Sequence, residues 1–434
     1  MAGQWRCGAL AAMVLLTAAC SDSGPAGEAV VDDSVFADFA DARVYRRDSP
    51  HAAALLDCAR IARSDLSCTP GRLPPLGAQS TAPDIDAIMD RVLVSHDWMG
   101  ARFETLLGRL PADIRLLLRS TTAIIIDADI RPSFFWLGTG AIYLDPSYLW
   151  VSAEEKATIS YEPDYRSDFG ADLQFEVLWR YMDGGAAAYS WCGMGNADCS
   201  RTLDDIELPL ARLLYHELAH ANDYLPNGEI ATLDPALSLY GNLVALRTRR
   251  VNRLLEDSIP LLSATLGGLA AVRFGGEEAS EAQRDITPET VGSELHGDGA
   301  AAFYSYYSAA EDVAMLFEAS MMKRNYGFDF LLGTTSRPGV EQPVCDDYII
   351  GWGQTNRLAA DSVSPRGQLV AAAILPDVDW DSAFANLGDN ALLPMGVGWC
   401  SGVYRAGRSA RGAALPEMEA HHPHAGWSER ERLR

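Results

Sequence analysis

Apolar and polar residues follow one another along the chain in patterns that predict helices joined by a few short strands. Apolar residues recur at helical spacing in four stretches, which are therefore predicted to be helices: residues 84–110, 204–224, 242–255 and 308–324. The β-branched and apolar runs at residues 121–130 and 141–144 are predicted to be strands, and the polar, glycine-bearing residues 275–290 a loop. These elements predict an α+β fold, mostly helical with a small mixed sheet, in one large domain over residues 46–405.

The N-terminus has the pattern of an export signal. Residues 7–19 form an almost wholly apolar stretch of 13 residues, which is too short for a bilayer-spanning helix of about 20 apolar residues. The stretch ends in LTAAC at residues 16–20, which resembles the bacterial lipobox. This resemblance implies that residues 1–19 are a lipoprotein signal peptide, that Cys20 is lipidated, and that Ser21 favours the outer membrane, facing the periplasm. Ordinary secretory cleavage, with Cys20 incidental, is the alternative.

Two segments beside the domain are predicted to lack regular structure. Residues 20–45 begin small, acidic and rich in Gly and Pro, as is typical of a flexible tether. Residues 406–434 are rich in Arg, Ala and His, and we expect a disordered tail there.

The charge of the chain restricts its partners. Lys and Arg number 35 against 59 Asp and Glu, which gives a formal net charge of −24. A nucleic-acid binder is disfavoured, because phosphate binding needs a basic surface. An acidic surface also repels anionic lipid headgroups, so any membrane attachment is expected to be covalent, through Cys20.

The cysteines agree with export. Six of the eight remain once Cys7 and Cys20 are set aside: Cys58, Cys68, Cys192, Cys199, Cys345 and Cys400. An even number in an exported chain predicts three disulfides, although six cysteines allow 15 pairings. Proximity along the chain favours pairing each cysteine with the next one in this order. A zinc–cysteine site is excluded, because no CxxC spacing is present.

The strongest chemical signal is the sequence HELAH at residues 216–220, an HExxH motif. On a helix, residues four apart share a face, so His216 and His220 can bind one metal ion while Glu217 faces a water bound to it. The metal acidifies that water and the glutamate accepts its proton, which is the mechanism of zinc hydrolases. The alternative is purely structural: two histidines at helical spacing that cap a buried polar cluster.

A catalytic zinc site needs a third protein ligand. The metzincin extension fails, because Asp223 and Pro226 stand where Gly and His are required. Glu311, early in the apolar stretch 308–324, is the preferred candidate. His296, in a glycine-bearing segment, and Glu318, seven residues after Glu311, are the rivals.

The segment around Glu311 carries a resemblance to a known family. Glu311, Ala314 and Phe317 keep the spacing of the glutamate helix in gluzincins of the anthrax lethal factor type, and Tyr304 stands seven residues before the glutamate. The chain therefore resembles a gluzincin metallopeptidase over two short segments, residues 213–223 and 304–317.

The resemblance implies a zincin-like catalytic domain with one Zn²⁺ per chain. His216, His220 and Glu311 would be its ligands. Glu217 would be the general base, and Tyr304 would stabilise the oxyanion.

The chain also departs from the family in two ways. Met315 stands where the thermolysin branch has Asp, and 91 residues separate His220 from Glu311, which predicts an inserted region at residues 226–300. Zincins usually bind substrate along an edge strand upstream of the metal helix. Residues 140–144 are the candidate for that strand, with an interior strand as the alternative.

These observations predict a zinc-dependent endopeptidase, lipid-anchored in the bacterial envelope, with a peptide or protein substrate and no nucleic-acid partner. A catalytically silent binding lipoprotein on a zincin fold is one alternative, although the intact Glu217 argues against it. A zinc amidase acting on cell-wall material is the other, and nothing in the sequence separates it from a peptidase.

Overall fold

The computed structural model describes four parts of the chain: residues 38–160, 166–192, 194 and 199–404. The predicted signal peptide, Cys20, most of the tether and the predicted tail lie outside these residues. About 48% of the structure is helical and about 12% is strand, so the predicted α+β class is confirmed. The last predicted tether residues include Arg43–Val44, which form a strand of the first sheet.

The described residues contain fifteen α-helices, numbered here in chain order: α1 Ala52–Cys58, α2 Ile85–Met89, α3 Asp97–Leu107, α4 Ala112–Leu117, α5 Ala153–Lys156, α6 Leu203–Tyr224, α7 Leu239–Ala245, α8 Val251–Ser258, α9 Ala264–Gly275, α10 Glu281–Arg284, α11 Pro288–Gly297, α12 Ala309–Tyr326, α13 Ser364–Ile374, α14 Trp380–Ala385 and α15 Trp399–Val403. No helix of the described residues is long and apolar enough to cross a membrane.

The strands form two five-stranded sheets, also numbered in chain order: β1 Arg43–Val44, β2 Val92–Val94, β3 Ile124–Ile126, β4 Phe134–Trp136, β5 Ala141–Leu144, β6 Phe175–Asp183, β7 Ala186–Ala187, β8 Asp329–Ser336, β9 Ile350–Thr355 and β10 Ala391–Leu392. The first sheet has the order β1-β2-β3-β5-β4, and the second has the order β10-β9-β8-β6-β7.

The first sheet is mixed. β2, β3 and β5 run parallel, with Ile124 of β3 opposite Ile142 of β5, while β1 and β4 pair antiparallel at the two edges. The predicted strand at residues 141–144 is confirmed, but the expectation that it forms an edge is wrong. β5 is an interior strand because the neighbouring segment Phe134–Trp136 pairs with its outer side.

The second sheet is wholly antiparallel and was not predicted. Its longest strands, β6 and β8, pair along their full length, from Phe175 opposite Ser336 to Met182 opposite Asp329. Most residues of both strands are buried. The side chains of Trp179 and Tyr181 therefore belong to the same apolar core as α6 and α12.

Two of the predicted helices are confirmed, as α6 and α12. Residues 84–110 are instead divided, because Asp84 caps the short helix α2 and the β-branched segment Val92–Val94 pairs between β1 and β3 before α3 begins. Residues 242–255 likewise fall in two helices, α7 and α8. The predicted loop at residues 275–290 contains α10 and the start of α11.

α6 and α12 lie between the two sheets. α6 contacts β4 and β5 of the first sheet on one side and α12 on the other, and α12 contacts β8 of the second sheet. Helices surrounded by protein must be apolar on nearly every face. The residues from Leu210 to Tyr224 of α6 are accordingly all buried. The predicted insertion at residues 226–300 forms helices α7 to α11, and α8 and α9 pack near α12 and the segment that precedes it.

The predicted disulfides join neighbouring cysteines. Cys58–Cys68 and Cys345–Cys400 are formed, with Cα atoms 5.5 and 5.6 Å apart. The Cα atoms of Cys192 and Cys199 lie 6.2 Å apart, which is close enough for the third predicted disulfide. All three Cα separations lie within the range that disulfides require.

Candidate metal centre

Helix α6 supplies the two histidines of the motif. The helix begins with a capping box between Thr202 and Asp205, and Pro226 follows soon after its last residue. His216 and His220 lie one turn apart within it, 1% and 5% exposed, and their ring centroids are 5.0 Å apart. The predicted helix therefore does bring both imidazoles to one face.

Helix α12 supplies the carboxylate. Ser308 caps the helix by accepting a hydrogen bond from the backbone N–H of Glu311 at 3.2 Å, which places Glu311 in the first turn. The next residue, Asp312, forms a buried ion pair with Arg366 of α13, whose Nη1 donates at 3.1 Å. The cap and the ion pair fix the start of α12 against its neighbours.

The three side chains converge on one point. Oε2 of Glu311 lies 3.1 Å from Nε2 of His216 and 3.3 Å from Nε2 of His220. One ligand atom from each residue can be chosen so that all three lie within 4.8 Å of one another. The buried group formed by His216, His220 and Glu311 could therefore hold a metal ion.

The two separations between the Glu311 oxygen and the histidine nitrogens fit a tetrahedral divalent ion. Two ligand atoms about 2.0–2.1 Å from one ion, at a tetrahedral angle, lie about 3.3 Å apart. The separations of 3.1 and 3.3 Å agree with this value. Three buried carboxyl groups lie in or next to the group, those of Glu217, Glu311 and Glu318, and such a set favours a bound cation.

Glu217 is the least compensated of these carboxylates. It is fully buried, and neither of its oxygens has a hydrogen-bond partner among the described residues. Burial raises its pKa to about 8, although the nearby His216 lowers that pKa in part. A buried carboxyl group without a hydrogen bond costs folding free energy, and a neighbouring cation would offset that cost.

The pKa values of His216 and Glu311 are shifted because these two residues and His220 lie so close together. Burial alone would lower the pKa of His216, but Glu311 and Glu318 together raise it to about 10. Burial in turn favours a protonated Glu311, yet His220 and His216 lower the pKa of that carboxyl to about 2. Without a metal, a proton on His216 supplies positive charge to this group. Metal binding should therefore release protons.

Glu318, one of the two rival ligands, lies on the other side of His216. Its Oε2 is 3.3 Å from Nδ1 of His216, whereas Nε2 of the same ring faces Glu311. Arg212 donates to that same oxygen at 3.1 Å, and the hydroxyl of Tyr181 donates to Oε1 at 2.8 Å. Glu318 therefore lies on the Nδ1 side of His216, away from Glu311, and it is not among the three residues that converge.

His296, the other rival, is remote from the group. It lies exposed in the last turn of α11, and its ring centroid is 6.2 Å from that of Trp352. It does not converge with His216 and His220.

Tyr304 lies beside the group, in the 3-10 helix Phe303–Tyr306 that precedes α12. Its ring stacks at 6.3 Å from the ring of His216, with an interplanar angle of 20°. The side chain is fully buried, and burial together with the negative charge of Glu311 raises its pKa well above the usual value. The phenol is therefore held in its protonated form next to the three converging residues.

Two further residues of α6 have structural roles. Tyr215 donates to Asp113 of α4 at 2.7 Å and accepts from Asn325 of α12 at 2.6 Å, so it ties three helices together. Asp223 accepts the backbone N–H of Asn252 at 2.7 Å, in the first turn of α8. Neither contact touches the three converging residues.

Sequence reasoning missed the contacts that surround Glu318. Arg212 is fully buried on α6, and its guanidinium lies 4.9 Å from the ring centroid of Trp179. One signal was present in the sequence: a charged residue one turn before the motif, in a helix that is otherwise apolar at that point. A charge in such a helix needs a buried partner, but the pattern does not say which carboxylate provides it.

Compared with models of known protein families, with curated proteins and with solved structures, the chain matches none of them.

Proposed function

We propose that this protein is a zinc-dependent metallopeptidase of the gluzincin type, with a zincin-like domain built around α6 and α12. The observation that carries the proposal is Glu217: a fully buried carboxylate without a hydrogen bond from any described residue, next to a His–His–Glu group. A structural cluster of histidines gains nothing from such a residue. A hydrolase needs it as the general base.

In the proposed reaction the metal is Zn²⁺, held by His216, His220 and Glu311. Zinc in such a site lowers the pKa of a bound water and polarises a carbonyl oxygen. Glu217 accepts the proton of the attacking water and later passes it to the leaving amine. Glu217 is suited to both steps because it is buried next to the group and has no hydrogen bond from a described residue that would hold it away from a water.

Tyr304 has the second role in this proposal. Its phenol donates a hydrogen bond to the oxyanion that forms on the scissile carbonyl. The phenol can do so because its raised pKa keeps it protonated at any working pH.

Substrate alignment is proposed for β4 in place of β5. β4 is the antiparallel edge strand of the first sheet, and it packs against α6. Phe135 of β4 stacks on Tyr224 at the end of that helix, with ring centroids 6.0 Å apart. The three residues of β4 are at most 4% exposed, so an extended peptide could add to this edge, beside the metal helix, only after the segments that cover it move aside.

The setting of the enzyme is proposed from the N-terminal sequence. Lipidation of Cys20 would anchor the protein in the bacterial envelope, at the outer membrane and facing the periplasm. The disulfides Cys58–Cys68 and Cys345–Cys400 support an oxidising compartment.

The test compares the full-length protein, purified in detergent, with Glu217→Gln and with Glu289→Gln. Glu289 is an exposed residue of α11 and provides the same substitution away from the site. We expect about one zinc per chain in all three proteins by elemental analysis. Hydrolysis of a peptide library, followed by mass spectrometry, should fall by orders of magnitude in Glu217→Gln alone.

Three other outcomes of this test would each lead to a different conclusion. Unchanged hydrolysis in Glu217→Gln would refute the mechanism. Stoichiometric zinc without hydrolysis in the wild type would favour the silent binding protein, and cleavage of muropeptides without cleavage of peptides would favour the cell-wall amidase.

A further inference from the structure

We propose that Glu318 is the positioning residue of the metal centre: its carboxylate lies next to Nδ1 of His216 and would accept a hydrogen bond from it when the metal is bound, and Arg212 and Tyr181 hold Glu318. The proposal rests on the metal site described above. It adds three residues outside the two segments with a family resemblance, Glu318, Arg212 and Tyr181, and it replaces the ligand role considered for Glu318.

The first support is the geometry around the ring of His216. Nε2 lies 3.1 Å from Glu311, and Nδ1, on the opposite side, lies 3.3 Å from Oε2 of Glu318. The ring is thus set between two carboxylates on α12. A proton on Nδ1 leaves the lone pair of Nε2 free for a metal, so the partner of Nδ1 selects the tautomer that can bind.

The second support is that Glu318 is itself held in place by two other side chains. Both side chains of its pair with Arg212 are fully buried, and Nη1 of Arg212 donates to Oε2 at 3.1 Å. Tyr181 reaches from β6 and donates to Oε1 at 2.8 Å. A guanidinium and a phenol on one carboxylate restrict its rotation.

The third support is the placement of the residues on their helices. Glu318 follows Glu311 by seven residues, which is two turns along the same face of α12. Arg212 precedes His216 by four residues, one turn along α6. The two helices are therefore joined twice, once at Glu311 and once at Glu318, and His216 lies between the two points.

Removing Glu318 alone would leave the buried cation of Arg212 unpaired, which can unfold the protein. The main variant is therefore the double substitution Arg212→Met and Glu318→Met, since replacing a whole buried pair by apolar residues is often tolerated. A rescue variant, Arg212→Met with Glu318→Gln, restores an acceptor without restoring the charges. The control is Arg102→Met with Glu155→Met, which removes a partly buried ion pair between α3 and α5, helices that supply no residue of the metal group.

Three measurements are made on the full-length protein: zinc affinity by chelator competition, thermal unfolding of the metal-free form, and the Nδ1–H resonance of ¹⁵N-labelled His216. We expect the double variant to bind zinc roughly 10- to 100-fold more weakly and to lose the protected Nδ1–H resonance. The rescue variant should recover the resonance and most of the affinity. The control should keep both, whatever its effect on thermal unfolding.

The outcomes separate this proposal from the proposed function. A wild type that binds no zinc would overturn the metal site and this proposal together. Wild-type affinity in a folded double variant would overturn this proposal only. If the double variant does not fold, Tyr181→Phe replaces it, because it loosens Glu318 but leaves the ion pair. We then expect a several-fold loss of zinc affinity, and an unchanged affinity would overturn the proposal.

Discussion

Glu217 should make the stability of the metal-free protein depend on pH, and Glu217→Gln should remove that dependence. The carboxyl is fully buried, and burial raises its pKa from 4.5 to about 8. In the unfolded chain the group ionises near its ordinary pKa. Between these two values the folded protein holds a proton that the unfolded chain has released, so stability is lost as the pH rises from about 4.5 to about 8.

The size of the effect follows from the two pKa values. One pKa unit corresponds to about 1.4 kcal/mol, so at pH 7 the buried carboxyl costs about 3 kcal/mol relative to acid conditions. Glutamine has nearly the same shape and does not titrate. The free energy of unfolding of Glu217→Gln minus that of the wild type should therefore increase by about 3 kcal/mol between pH 4.5 and 7.

The assay is urea unfolding of both proteins at several pH values, with the disulfides intact and with chelator present. His216 also has a raised pKa, but it titrates in both proteins and largely cancels in the difference. Saturating zinc should shrink the pH-dependent difference, because a nearby cation favours the ionised carboxylate. A difference that stays constant from pH 4.5 to 8 in the metal-free proteins would refute the burial of Glu217 and the reasoning built on it.

Four other predictions concern single residues. Glu311→Ala should weaken zinc binding by more than roughly 100-fold, which exceeds the usual effect of removing a residue that only hydrogen-bonds to a metal ligand. His296→Ala should leave the zinc affinity, measured by chelator competition, unchanged. The reverse result would indicate a three-histidine site. Tyr304→Phe should keep zinc bound and lower kcat with little change in KM, because the phenol acts on the transition state; an unchanged kcat would contradict this role. Asp223→Ala should lower the free energy of unfolding by about 1–3 kcal/mol without weakening zinc binding, since it leaves the Asn252 N–H unpaired; wild-type stability would contradict it. Cys20→Ser should give uncleaved precursor or a soluble periplasmic protein in cell fractionation, and globomycin-insensitive processing of an unlipidated wild type would overturn the anchor.

The two helices of the site could be predicted from sequence because their signals are local. α6 and α12 begin and end within two residues of the predicted bounds. Both are long, and each starts at a capping residue, Thr202 or Ser308. Periodicity and capping act within a few residues of one another, so a single sequence contains them.

The positions of the strands were harder to predict because they depend on distant partners. Residues 141–144 have the composition of a strand, but only the pairing with Phe134–Trp136 makes β5 interior. The helical spacing of Ile85 and Met89 continues through Val92–Val94, so the pattern predicts a helix there. This segment is a strand because it pairs with β1 on one side and with β3 on the other.

The same limit applies to the carboxylates. Helical spacing places Glu311 and Glu318 on one face, two turns and about 10 Å apart along the axis. The pattern alone does not say which of them faces Nε2 of His216 and which faces Nδ1. That depends on how α6 packs against α12, and therefore on contacts between residues about a hundred positions apart, such as Arg212 with Glu318.

The central claim is that His216, His220 and Glu311 bind one zinc ion. It is tested most directly by anomalous diffraction at the zinc edge, with crystals of the full-length protein. We expect one strong peak per chain, about 2.0–2.2 Å from Nε2 of both histidines and from a carboxylate oxygen of Glu311. The account would be contradicted by crystals grown with zinc that show no peak at this group, or by a peak whose ligands include Glu318 or His296 in place of Glu311.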